Sequence, residues 1–113
     1  MELVSNIIYQ NIQFSFNLMV CNFTEETLFI LNILYKNRCL SSDKGYHSKK
    51  LKKIYIKKFS DKNHLSLKGA LKDLKNAGYI TVIKKDDDKY YISNIKETIL
   101  ILHSFGYIPS DSF

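Results

Sequence analysis

The hydrophobic period of this chain changes at Gly78. Over residues 67–92, LKGALKDLKNAGYITVIKKDDDKYYI, the apolar residues before that glycine recur at helical spacing: Leu67, Ala70, Leu71, Leu74 and Ala77. After it, Ile80 and Val82 alternate with other residues, a charged run follows, and Tyr91 and Ile92 resume the apolar pattern. Period 3.6 and then period 2 predict a helix over 66–77 and two short strands over 79–83 and 90–93, joined by a turn over 84–89. Ser66 is the expected N-cap, and Gly78 the left-handed residue that ends the helix. A helix running straight into a hairpin leaves one apolar helix stripe and one apolar strand face, and other elements must cover both.

Three further helices are predicted. Over 24–38, Thr24 is a good N-cap, Glu25 and Glu26 suit the positive end of the helix dipole, and Lys36 and Arg38 suit its negative end. Leu28, Phe29, Ile30, Leu31, Ile33, Leu34 and Tyr35 make this helix apolar on nearly every side, so it should be central. Over 48–59, with Ser48 a candidate cap, Leu51, Ile54, Tyr55 and Phe59 define one face and six lysines cover much of the rest. Over 95–105, capped by Ser93 or Asn94, Ile95, Ile99, Leu102 and Phe105 line one side. Gly106 stops this helix and Pro109 prevents its resumption. Turn residues occupy 41–46 and 60–64. Near the N-terminus, Ile12, Phe14, Phe16, Leu18 and Val20 alternate with polar residues and predict a strand over 12–20.

At 113 residues the chain fits one domain, and 45% hydrophobic content is enough to build a core. No apolar run approaches the roughly 18 residues of a membrane span. The N-terminal residues do not read as a signal peptide, and Cys21 and Cys39 do not make a disulfide framework. The expectation is an intracellular, cytoplasmic chain with reduced thiols.

The net charge of +6 is unevenly distributed. Residues 44–75 hold 11 lysines against Asp61 and Asp73, and the rest of the chain is net acidic. Such segregation points to a polyanion-binding surface. His47, His64 and His103 lack zinc-ligand spacing, and the run Asp86, Asp87, Asp88 lacks calcium-loop spacing. There is no phosphate-binding glycine loop, nucleophile elbow or acid–base pair. No enzyme activity, cofactor or metal is expected.

The order helix, helix, helix, hairpin, helix, together with Leu71, Leu74, Gly78, Tyr79 and Ile80, resembles the second half of a winged helix-turn-helix DNA-binding domain. The resemblance covers about residues 24–105. It implies an α+β, mainly helical fold over 24–113 with a two-stranded wing, preceded by an extension over 1–23. It also implies that the third helix enters the major groove of double-stranded DNA. Lys68, Lys72 and Lys75 then form the presented stripe, opposite Leu67, Leu71 and Leu74, with Ser66, Gly69 and Asn76 flanking it. Lys49, Lys50 and Lys53 of the second helix are expected on phosphates, which give affinity but little sequence information. Lys84, Lys85 and Lys89 at the base of the wing are expected to touch the backbone. The acidic knuckle at its tip repels phosphates, so the tip is not expected to enter the minor groove.

A small transcriptional regulator acting as a homodimer is the resulting expectation, with the 12–20 strand and the fourth helix as candidate dimer surfaces. The alternatives are a winged protein-interaction module, whose lysines only solubilise it, and a nonspecific DNA or RNA binder. Gly69 costs on the order of 1 kcal/mol in a helix interior relative to alanine. Close approach of a DNA backbone, tight packing and simple tolerance are its three explanations.

Overall fold

The computed structural model describes residues 23–109. They form an α+β fold of four helices and a three-stranded antiparallel sheet. The elements are α1 (Glu25–Lys36), β1 (Tyr46–His47), α2 (Ser48–Lys58), α3 (His64–Asn76), β2 (Ile80–Lys84), β3 (Asp88–Ile92) and α4 (Ile95–Ser104). The strand expected over 12–20, its dimerising role and Cys21 lie outside the described residues.

α1 is the central helix, as its all-round apolarity predicts. It packs on α3, β3 and α4, and Ile30, Leu31 and Leu34 are fully buried. Thr24 and Thr27 close a reciprocal capping box: the Thr27 amide donates to Thr24 Oγ1 at 3.2 Å, and the Thr24 amide donates to Thr27 Oγ1 at 2.9 Å. Leu51, Tyr55 and Phe59 of α2 and its C-cap, Leu74 of α3, Ile80 and Ile92 at the hairpin base and Leu102 of α4 complete one core. Phe23 sets its ring edge-on to Tyr79 at 5.3 Å and lies 6.3 Å from Phe105.

Three helices end alike. After α3, the amide of Gly78 donates to the Lys75 carbonyl at 3.1 Å and that of Tyr79 to Leu74 at 2.9 Å. After α4, Gly106 donates to His103 at 3.0 Å and Tyr107 to Leu102 at 2.8 Å. These are Schellman closures with a left-handed glycine (φ 85° and 82°), where the glycines at 78 and 106 were expected to act. After α1 the same closure is made by Arg38 at φ 56°, its amide on Tyr35 at 3.0 Å and that of Cys39 on Leu34 at 2.9 Å. A side chain there costs energy that glycine would not. Arg38→Gly is expected to stabilise the fold by about 0.5–1 kcal/mol, read as a higher urea midpoint. A lower midpoint would mean that the arginine makes a contact worth more than its backbone strain.

Several boundaries differ from expectation for identifiable reasons. The sheet has a third strand, because Tyr46 and His47 pair with Tyr90 and Lys89 of β3. A two-residue strand has no periodicity to read. The N-cap of α3 is Asn63, whose side chain accepts from the Leu65 and Ser66 amides at 3.0 and 3.2 Å, so the helix starts two residues before Ser66. The N-cap position of α2 falls to His47, without a side-chain bond, rather than to Ser48. Asn94 caps α4, with its side chain accepting from the Glu97 amide at 3.3 Å. The buried stripe of α4 is Thr98 and Leu102, whereas Ile95 and Phe105 are exposed. Thr98 Oγ1 has no hydrogen-bond partner among the described residues, and its burial offsets part of what that stripe contributes.

Lys62, just before α3, pairs with Glu26 at the start of α1 at 3.0 Å. The lysine hydrogen bond, helped by a backbone amide, holds the Glu26 carboxyl below its ordinary value of 4.5. A depressed carboxyl contributes stability that is full above the unfolded value and is lost as pH falls through the folded one. The urea midpoint of Glu26→Gln is therefore expected to depend less on pH below about pH 5 than that of the wild type. Parallel pH curves for the two proteins would show that the pair contributes nothing.

Candidate nucleic-acid interface

The register of the hairpin decides what the hairpin presents. Ile80 is paired with Ile92, Val82 with Tyr90, and Lys84 with Asp88. Directly paired residues project to the same face of a sheet. On that face Ile80 and Ile92 are buried in the core, Val82 and Tyr90 are half-buried, and Lys84 has emerged into solvent. The hairpin thus rises out of the core beside α3, and its upper inner face becomes one wall of a cleft.

The opposite wall is the stripe Lys68, Lys72 and Lys75 of α3, with Leu65, Gly69 and Leu71; the cleft holds about 500 Å³. A second groove of about 350 Å³ adjoins it and is bounded by Lys49 and Lys52 of α2 and His64 of α3. Lys68, Leu71, Asp88 and Tyr90 line both grooves, so the two are continuous. Lys68, Lys72 and Lys75 therefore do share a face, as the helical spacing requires. Leu71, expected in the buried stripe, is only half-buried and borders the cleft instead.

The remaining expected residues divide. Lys84 faces the cleft, whereas Lys85 and Lys89 lie on the other face of the hairpin, beside Ile83 and His47. Alternation along β3 puts Lys89 on the side opposite Asp88, and Lys85 already stands in the turn beyond β2. Ser66 does not flank the presented stripe: its hydroxyl shares a hydrogen bond with the hydroxyl of buried Tyr55 and ties α3 to α2. Lys50 lies over the Tyr46 ring, 5.4 Å from its centre, and Lys49 pairs at 3.8 Å with Asp87. That exposed ion pair contributes little. Lys53 and Asn76 are exposed but border neither groove.

The acidic knuckle also divides. The turn spans only 85–87, so Asp86 and Asp87 sit at the tip, and Asp88 belongs to β3 and faces the cleft. Asp88 and Tyr90 are neighbours on one face, and the Tyr90 phenol is raised above its ordinary value, first by burial and then by the Asp88 carboxylate. The phenol therefore keeps its proton as a hydrogen-bond donor beside a carboxylate acceptor. Asp88, Tyr90, Lys52, His64, Leu65 and Val82 are functional candidates that sequence reasoning did not single out. For the strand residues the missing signal was the register, since alternation alone does not say which face meets α3. Lys52 was visible as one of the α2 lysines.

A β-carbon added at Gly69 would meet nothing within 4 Å, so tight packing does not explain this glycine. Gly69→Ala is expected to raise stability by about 1 kcal/mol through helix propensity alone. A urea midpoint at or below the wild-type value would contradict the open geometry.

Among the described residues, no three His, Cys, Asp or Glu side chains come together to hold a metal ion. Cys39 is buried, and burial raises its thiol above the ordinary value, which disfavours the reactive thiolate. No helix among the described residues is long and apolar enough to cross a membrane. No family model, curated protein or solved structure matches the chain.

Proposed function

We propose that this protein is a winged helix DNA-binding protein, a small transcriptional regulator whose α3 enters the major groove while the hairpin serves as the wing. The observation that carries this reading is the convergence of Lys68, Lys72 and Lys75 of α3 with Lys84 of the hairpin on one open cleft. Lys49 and Lys52 extend the basic surface into the adjoining groove. The order of three helices, hairpin and helix agrees with the same reading. These ammonium groups would neutralise phosphates and release counterions. The chain's one arginine, Arg38, lies after α1 rather than on α3, so the commonest guanine contact is missing from the reading helix and sequence preference should be modest.

Fluorescence anisotropy of a labelled duplex between 50 and 200 mM salt tests the reading. Six such ammonium groups, each on one phosphate, predict a slope of log affinity on log salt of about −5.4. No duplex binding at 50 mM salt would end it. A homodimer completes the proposal, because paired half-sites raise affinity and specificity, and Leu100 and Phe105 of the α4 region are exposed. Sedimentation that finds only monomer at tens of micromolar would remove that part.

A further inference from the structure

The floor of the cleft between α3 and the hairpin is not built for phosphate. Phosphate needs cations or amide donors, and Lys68, Lys72, Lys75 and Lys84 already provide them at the rim. The inner surface instead offers Leu71, Val82 and the half-buried ring of Tyr90, with the Asp88 carboxylate beside the ring. A carboxylate inside a polyanion site repels the polyanion unless it meets a donor. No lysine or histidine nitrogen among the described residues lies within ion-pair distance of Asp88, although Lys84 is its cross-strand partner. The chemistry that satisfies all these groups is an aromatic body with an exocyclic amine next to a ring acceptor, attached to a phosphate.

We propose that this cleft receives a nucleobase bearing an amino group, with Asp88 accepting from the amine, the Tyr90 hydroxyl donating to the adjacent ring nitrogen, and the rim lysines holding the attached phosphates. Cytosine and adenine have that arrangement. Thymine and uracil place a carbonyl oxygen where the amine would be, and the Asp88 carboxylate repels it. The cleft volume of about 500 Å³ accommodates one nucleotide. The inference rests on the nucleic-acid reading of this surface and adds to it. In a duplex the ring nitrogen beside the amine is engaged in base pairing and the ring faces are stacked, whereas an unpaired, unstacked base offers both to the Asp88–Tyr90 side of the cleft. The ligand is therefore an unpaired nucleotide, either within a single strand or free.

Equilibrium binding of labelled (dC)8 and (dT)8 to the full chain at pH 7.5 tests this. The two oligomers share a backbone and differ in the base edge that Asp88 and Tyr90 would read. The wild type is expected to prefer (dC)8 roughly tenfold. Asp88→Asn keeps the shape but supplies both a donor and an acceptor, so the ratio should fall to about one while affinity for (dT)8 rises. Tyr90→Phe should lower the ratio without raising affinity for (dT)8. Equal wild-type affinities would overturn the proposal. So would a wild-type ratio retained in Asp88→Asn with both affinities raised together, because Asp88 would then act only as a charge. Displacement of (dC)8 by free CMP would assign the pocket to mononucleotides, and displacement by oligomers alone would assign it to strands. Duplex binding with no cytosine preference would leave the DNA-binding reading standing and this inference refuted. Loss of binding to every nucleic acid would refute both.

Discussion

Replacing Lys68 and Lys72 together with alanine is expected to weaken duplex DNA binding roughly thirtyfold near physiological salt, and to flatten the salt slope by about two. The two ammonium groups stand one turn apart on α3 and border the same cleft. Each would face a phosphate across a few ångströms of largely aqueous medium, where one contact changes affinity by roughly fivefold. The loss should be similar for every duplex sequence, because phosphate contacts carry no base information. Lys96 on α4 is exposed and borders neither groove, so Lys96→Ala should leave affinity and slope unchanged. Equal losses in the double variant and in Lys96→Ala would mean that overall charge, not the cleft, sets the affinity.

Tyr55→Ala is expected to produce a large loss of stability, about 3–5 kcal/mol in urea unfolding. Tyr55 is fully buried. Its ring lies 4.9 Å from that of Phe59 and 6.4 Å from that of Phe29, so it joins α2 to α1. Its hydroxyl meets Ser66 on α3. The loss would consume much of the 5–15 kcal/mol that holds a typical domain folded. Tyr55→Phe separates the two roles: it keeps the ring and removes one hydrogen bond, at about 1 kcal/mol. If Tyr55→Phe costs as much as Tyr55→Ala, the hydroxyl rather than the ring holds α2 and α3 together. A cost below about 1 kcal/mol for Tyr55→Ala would contradict the packing described for the core.

The two predictions draw on features that were unequally visible in the sequence. The spacing of Lys68, Lys72 and Lys75 puts them on one helix face wherever that helix lies, because the helical period is local. The same locality made Gly78 and Gly106 readable as helix ends, since a left-handed closure strongly favours glycine. Arg38 makes the same closure without the glycine, so nothing in its neighbourhood announced it. Ser66 looked like a cap or a DNA contact because serine is common at both. Its true partner, Tyr55, is 11 residues away on another helix, and only packing brings the two together. Tyr46 and His47 form a strand because β3 offers them hydrogen bonds, and two residues carry no pattern of their own.

The acidic run shows where local information ends. By itself the sequence determined that Asp86, Asp87 and Asp88 follow one strand and precede another, and that the lysines gather in the middle of the chain. Through a periodicity of 3.6 it determined the four helices of the described residues and most of their apolar stripes, and through a periodicity of 2 the two strands of the hairpin. Only the tertiary structure decided that these three aspartates have different surroundings. One-residue steps along a hairpin reverse the side of the sheet, and the pairing of Lys84 with Asp88 fixes which side Asp88 takes. The docking of α3 against that side then turns Asp88 from a charge in a turn into part of a cleft wall. Register and docking are set by burying Ile80 and Ile92 against residues far away in sequence, so no local pattern could have placed that carboxylate.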